Sequence, residues 1–266
     1  MKGIRADILL VERKLVPSRE RARSLIMAGA VYCGEVRVDK PGDMLNENAD
    51  IVLRDDPNPF VSRGGLKLNK AINAYGIELE GAVAADIGAS TGGFTDCMLQ
   101  HGASRVYSID VGYGQLDWKL RNDPRVKVME RTNARNIAPE WFETALNFAS
   151  IDVSFISVRL ILPNLYACLD DSASAVVLVK PQFEAGRGKV GKNGVVREAA
   201  THLEVLMDTA NAALNMGYHI RGLEYSPITG PKGNIEFLMY LVKQATGFEL
   251  EQAARETVER AHSELL

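Results

Sequence analysis

Cysteine is scarce: Cys33, Cys97 and Cys168 are the only three in 266 residues, far apart and without a C-x-x-C pair. That excludes a disulfide framework and a thiolate-held metal, and no metal site is expected. A reducing cytoplasm is the expected compartment. There is no run of eighteen apolar residues, and the opening MKGIRADILLVERK has no apolar core followed by a small-residue cleavage site, so neither a membrane span nor a secretory signal is expected. No charge of one sign dominates either. With 31 Lys and Arg against 34 Asp and Glu the net charge is −3, so any nucleic-acid contact must rest on a local patch. The glycine turn at residues 88–93 does not have the G-x-G-x-x-G spacing, and the chain has no G-x-x-x-x-G-K-[ST] phosphate loop. What remains is the composition of a globular protein, 46% apolar and 24% charged, long enough for one large domain or a large and a small one.

The chain is organised around Gly81 to Phe94, GAVAADIGASTGGF. Small and branched apolar residues lead to Asp86, a turn passes Gly88, Ser90, Gly92 and Gly93, and FTDCMLQHG follows as a helix start. A glycine-rich strand-to-helix turn lets a ligand approach the backbone and presents free N–H groups to it. Twenty-four residues after Asp86, RVYSID ends in Asp110, placed to hold a ribose from the neighbouring strand tip. An ordinary connection is the alternative for the turn taken alone. Further on, strand-like VKVME, FASIDVSF and SAVVLVKPQFE alternate with helix-like GQLDWKLR, WFETAL, VRLILPNLYACL and a long segment near 197–216, which predicts a parallel sheet covered by helices. The tail from 249 places Leu250, Ala254, Val258, Ala261 and Leu265 at helical spacing. Residues 185–194, AGRGKVGKNG, predict a loop near the ligand edge.

Residues 1–59 read as a separate unit: two short helices, the second capped by Ser18 and stopped by Gly29, then a small β-ribbon. DDPNPF, 55–60, reads as the linker to a second domain at 60–266. Arg13, Lys14, Arg19, Arg21 and Arg23 form a basic patch against Glu20 alone, with Arg19 and Arg23 one turn apart; a solvated helix face is the alternative. The apolar, Ser-Arg and glycine pattern from Asp7 to Gly34 resembles the S4-type RNA-binding module of ribosomal proteins. The resemblance implies that Arg13, Lys14, Arg19 and Arg23 lie against structured RNA, the acidic stretch Glu35 to Asp56 facing away.

Asp152 and Lys180 each end an expected parallel strand, and Glu236 begins a late one; if that strand runs antiparallel, all three meet on the ligand edge. A rim salt-bridge network is the alternative. Ser62 to Leu68, Asp86 to Phe94, Ile151 to Phe155, Val179 to Pro181 and Asn234 to Glu236 resemble, in order, the motifs of FtsJ-type ribose 2′-O-methyltransferases. Joined to the S4-like unit, the chain resembles the TlyA family, named both haemolysin and ribosomal RNA methyltransferase. The resemblance implies an α/β fold, a Rossmann-like class I methyltransferase sheet preceded by a small α+β RNA-binding domain. It further implies S-adenosylmethionine as cofactor and ribosomal RNA or ribosomal subunits as partner. Lys67, Asp152, Lys180 and Glu236 become a catalytic tetrad in which Asp152 and Glu236 hold Lys180 against a ribose 2′-hydroxyl. Asp86, Gly88, Ser90, Gly92 and Phe94 are assigned to the cofactor loop, Asp110 to the cofactor ribose and Asn133 to the adenine. Two departures stand out: Thr91 and Phe94 replace the family's proline and tryptophan, and Asn133 replaces an acid. A cytolysin and a catalytically silent RNA-binding protein are the competing readings.

Overall fold

The computed structural model describes residues 3–27, 29–54, 58–191 and 193–265; the first half of the linker, Ala28 at the expected end of the second helix, and Lys192 lie outside them. The chain divides into two compact units, Met1–Pro59 and Phe60–Leu266.

In the first unit, β1 (Ile4–Arg5) leads into α1 (Ala6–Glu12), followed by α2 (Arg19–Met27), β2 (Val31–Cys33), β3 (Val36–Arg37), β4 (Met44–Leu45) and β5 (Ile51–Leu53). Ser18 Oγ accepts from the Arg21 backbone N–H at 3.2 Å, meeting one donor that the helix start leaves open. Ala6, Leu10, Ala22 and Ile26, spaced one helical turn apart in each helix, close onto Val31 and Val38 in one small core. β2 pairs antiparallel with β3 and β5, as the ribbon predicts, while the short β1–β4 pair carries no sequence signal.

The second unit contains α3 (Gly64–Tyr75), β6 (Val83–Ile87), α4 (Gly93–Gln100), β7 (Arg105–Ile109), α5 (Trp118–Arg121), β8 (Val126–Met129) and β9 (Leu146–Ile151). It continues with α6 (Leu162–Cys168), β10 (Leu169–Val179), α7 (Pro181–Glu184), α8 (Ala199–Asn215), β11 (His219–Tyr225), β12 (Phe237–Val242) and α9 (Leu250–Leu265). The seven strands run in the order β11-β12-β10-β9-β6-β7-β8. The alternation of side chains along a strand divides the apolar residues between two cores: Ala85, Ile87, Val177 and Val179 face one, Ala84, Val176 and Leu178 the other. Two helix expectations fail. WFETAL, 141–146, is not helical: a 3₁₀ turn, Pro139–Trp141, ends at its first residue, Phe142 is already extended, and Leu146 is drawn into β9. In GQLDWKLR only one turn, α5, is helical, capped by Asp117 Oδ1 accepting from the Lys119 N–H at 2.8 Å.

Parallel pairing aligns Ile87 with both Ile109 and Ile151, so β6, β7 and β9 end on one edge. β10 joins them in parallel, and β12 runs antiparallel with Phe237 opposite Val179. The residue before β12, Glu236, therefore starts where the parallel strands finish.

Candidate active site

Four charged side chains converge on that edge as two pairs. Lys180, just past β10, lies 2.5 Å from Asp152 Oδ1 and donates to Ser154 Oγ at 3.0 Å. Lys67, brought in by α3, donates to Glu236 Oε2 at 2.6 Å, and Gln182 Nε2 reaches Glu236 Oε1 at 3.4 Å. Both lysines and Glu236 are buried, so each pair is poorly screened by water. The sequence expectation that Asp152 and Glu236 both hold Lys180 is corrected here, because Lys67 takes Glu236 instead. Gly230, unremarked in the sequence, supplies the room: a Cβ there would lie 2.2 Å from Glu236 Oε1.

A cavity of about 540 Å³ opens over these residues, walled by Lys67, Ser154, Phe155, Lys180, Phe183 and Glu236. A second cavity of about 310 Å³ is lined by Ser90, Asp110, Val111, Asn133, Ile156 and Ile161. The two share Gly88, Ser90, Asp152, Ser154 and Phe155, so they meet beside the Lys180–Asp152 pair.

Of the residues assigned to the cofactor, Gly88, Ser90, Asp110 and Asn133 reach the second cavity. Gly88 has φ +87° and would drive a Cβ to 2.3 Å from the Asp152 carbonyl, which explains the glycine where the turn crosses β9. Asp110 accepts from the Ser90 N–H at 2.8 Å and the Gly112 N–H at 2.7 Å, one through each oxygen. Each oxygen keeps a second lone-pair direction for a further donor. Asn133 Oδ1 caps the next turn by accepting from the Arg135 N–H at 3.1 Å. The other three lie behind the wall. Gly92 backs onto Leu116 and Leu120, Phe94 is buried in the apolar core, and Asp86 is enclosed. Asp86 accepts from the Thr95 N–H and hydroxyl at 2.8 and 2.7 Å and from the Ser150 hydroxyl at 3.2 Å. Burial, reinforced by the neighbouring Asp152 charge, pushes the Asp86 carboxyl up to about 7 against those bonds. Asp86, Gly92 and Phe94 line neither cavity and pack behind the loop; spacing alone cannot separate residues that face a cavity from those that support it.

The structure also adds a residue that the sequence reading passed over. Phe155 is 91% exposed at the shared mouth with φ +65°, an uncommon backbone for a bulky side chain, and its ring lies 5.1 Å from that of Phe183. An aromatic three residues past a strand-end aspartate was the available signal.

Residues 60–243 match the model described as FtsJ-like methyltransferase, and residues 4–51 match the S4 domain. The 16S/23S rRNA (cytidine-2′-O)-methyltransferase TlyA of Mycobacterium tuberculosis is 42% identical, over 98% of this chain and 97% of its own length. The chain belongs to the TlyA family of FtsJ-like methyltransferases. Hemolysin A of Brachyspira hyodysenteriae is 39% identical over 90% of this chain and all of its own. A solved structure of a Streptococcus thermophilus protein carrying a hemolysin name superposes with a TM-score of 0.79 at 46% identity, covering 99% of this chain and 97% of that one. As an FtsJ-like methyltransferase the chain uses S-adenosylmethionine. The second cavity fits that cofactor: an acceptor-only carboxylate at a strand tip suits a ribose diol, and apolar Val111, Ile156 and Ile161 suit a purine.

In the S4 unit, α2 carries Arg19 and Arg23 as expected, yet neither is a free charge. Arg19 Nη2 and Arg23 Nε lie 3.0 and 3.2 Å from Asp7 Oδ2, and Arg5 grips the same carboxylate at 2.9 and 3.1 Å. Asp7 has no solvent exposure, and these bonds, that of Arg5 foremost, hold its carboxyl far below the usual range. Three half-exposed guanidiniums around one carboxylate leave a net positive cluster. Arg13 turns elsewhere, donating to the backbone carbonyls of Glu47 and Ala49, and Lys14 is exposed beside it with φ +57°.

Proposed function

We propose that this chain transfers a methyl group to the 2′-oxygen of a ribosomal RNA nucleotide, with residues 60–266 performing the chemistry and residues 1–59 gripping RNA. The observation that carries the reading is the junction of the two cavities at the Lys180–Asp152 pair, where cofactor and nucleotide sites share a wall. S-adenosylmethionine supplies an electrophilic methyl group on a sulfonium. The chain's residues do the rest. Asp110 binds the cofactor ribose and orients it. Lys180 Nζ, fixed by Asp152 and Ser154, donates to the 2′-oxygen and stabilises the negative charge that grows on it as its proton is lost to water; the oxygen takes the methyl group and a neutral thioether leaves. Lys67, neutralised by Glu236, supports the adjacent phosphate. Phe155 offers its face to the target base, since base–aromatic stacking tolerates any base. Positioning accounts for most of the rate.

Arg19 and Arg23, with Arg5 beside them, contact RNA phosphates, and Arg13 and Lys14 extend the basic side of the unit. The reading places the chain in the cytoplasm with its ribosomal substrate, in keeping with three free cysteines. Among the described residues no helix is long and apolar enough to cross a membrane.

The test is incubation with purified ribosomal subunits and labelled S-adenosylmethionine, followed by mapping of the label. A 2′-O-methyl group blocks alkaline cleavage at its own phosphodiester. Label at a position that stays alkali-cleavable overturns the ribose assignment.

A further inference from the structure

Phe155 is strained and almost wholly exposed, so something other than its own packing must hold it at the mouth of the cavity. A left-handed φ at a bulky residue persists only where the surroundings fix it. Its ring has one aromatic neighbour, Phe183. The segment that carries it, 152–157, leaves β9, whereas Phe183 belongs to α7, which leaves β10. Two anchors tie these segments: Lys180 at the strand tips, which pairs with Asp152 and donates to Ser154 Oγ, and a carboxylate at the far end. Glu184, the last residue of α7, is buried, and it accepts from the Ser157 hydroxyl at 2.6 Å and the Val158 backbone N–H at 2.8 Å. Arg159 Nε lies 3.3 Å from the same carboxylate, and Arg159 Nη2 reaches the Glu184 carbonyl at 3.3 Å.

This is a closed clamp. The carboxylate meets donors from three consecutive residues of the β9 side, and the Val158 N–H is one that the following 3₁₀ turn, Val158–Leu160, leaves open. Phe155 and Phe183 lie between the two anchors. Fixing the chain at Asp152 and Ser154 and again at Ser157 allows the residues between them little choice of backbone.

We infer that Glu184 is a positioning residue that locks the segment after β9 to α7 and so holds Phe155 as a platform for the target base. The inference rests on the proposed RNA methylation and adds a residue that never touches substrate. Glu184 acts through Phe155, so its loss weakens nucleotide capture while the Lys180–Asp152 pair at the strand tips stays in place.

A double-mutant cycle on the full chain, with purified ribosomal subunits as substrate, tests this. Phe155→Ala is expected to raise KM for the subunits about tenfold with little change in kcat, the size of one lost base stack. Glu184→Ala is expected to raise it by a similar factor, and the double variant no further than either single one. Glu184→Gln, which keeps an acceptor for the Val158 N–H, is expected to recover most of the loss. Multiplying effects in the double variant would show an independent structural role and overturn the inference, as would a wild-type KM for Glu184→Ala. If Glu184→Ala does not fold, Ser157→Ala takes its place in the cycle, with an expected rise of up to about tenfold, because a hydrogen bond to a carboxylate is charge-assisted; a wild-type KM there overturns the clamp. A wild-type KM for Phe155→Ala removes the platform itself. Absence of methyl transfer by the unaltered chain is the separate failure of the parent reading.

Discussion

Lys67 Nζ and Glu236 Oε2 meet at 2.6 Å across 169 residues of chain, both side chains nearly sealed from water. Breaking a buried pair from one side leaves an uncompensated charge, so Lys67→Ala is expected to cost stability on the order of 3 kcal/mol in addition to activity. Lys67→Ala combined with Glu236→Gln is expected to recover most of that stability and none of the activity. Urea unfolding midpoints of the three proteins give the check, and an unmoved midpoint for Lys67→Ala contradicts the burial argument.

Lys180 forms the other pair, and its role is to act as charge develops. Lys180→Ala is expected to abolish methylation while leaving affinities for S-adenosylmethionine and RNA near wild type, a loss confined to kcat. Lys180→Arg is expected to remain poor, because a planar guanidinium is too bulky for the place beside Asp152 and Ser154. Single-turnover kinetics with saturating RNA read both, and full turnover by either variant removes Lys180 from the centre of the reaction.

Asp110 lines the second cavity with a carboxylate already bonded to two backbone N–H groups. Asp110→Ala is expected to weaken S-adenosylmethionine binding by roughly 1.5 to 3 kcal/mol, the worth of a charge-assisted bond. Calorimetry measures it directly; unchanged affinity in a folded variant takes Asp110 out of the site.

Changing Arg19 and Arg23 together to Ala is expected to weaken RNA binding and to lower the slope of log affinity against log salt by about one or two. Cofactor affinity is expected to hold. An unaltered slope identifies the cluster as structural, bound up with Asp7 alone.

Asp86 gives a pH dependence with a definite sign. Its carboxyl titrates near 7 in the fold against 3.8 as the ordinary value, so between those limits the native state binds the extra proton. Stability from this group is present below pH 4 and is lost as pH rises through 7. Asp86→Asn removes the titrating group, so the difference in unfolding free energy between variant and wild type is expected to move in the variant's favour from pH 5 to pH 8. Parallel stability curves for the two proteins refute the raised titration.

Some of this was legible in the sequence and some was not. Period-two and period-3.6 apolar patterns marked the strands and the long helices, because burial of one face is a local property of the chain. Lys180 after AVVLV and Asp152 after FASI could be placed at strand tips for the same reason. The failures have a common cause. A segment such as WFETAL is ambiguous alone, and only the strand that captured Leu146 decided it. Gly92, Phe94 and Asp86 belong to the right motif, but whether a residue in a turn faces the ligand or the core depends on what packs behind it, here Leu116, Leu120, Thr95 and Ser150. The sorting of four charges into Lys180 with Asp152 and Lys67 with Glu236, and the gathering of Arg5, Arg19 and Arg23 on Asp7, are likewise tertiary decisions. Composition supplies the charges, while short-range contact between distant segments assigns their partners, since a bond a few ångströms long is fixed by where whole strands and helices come to rest.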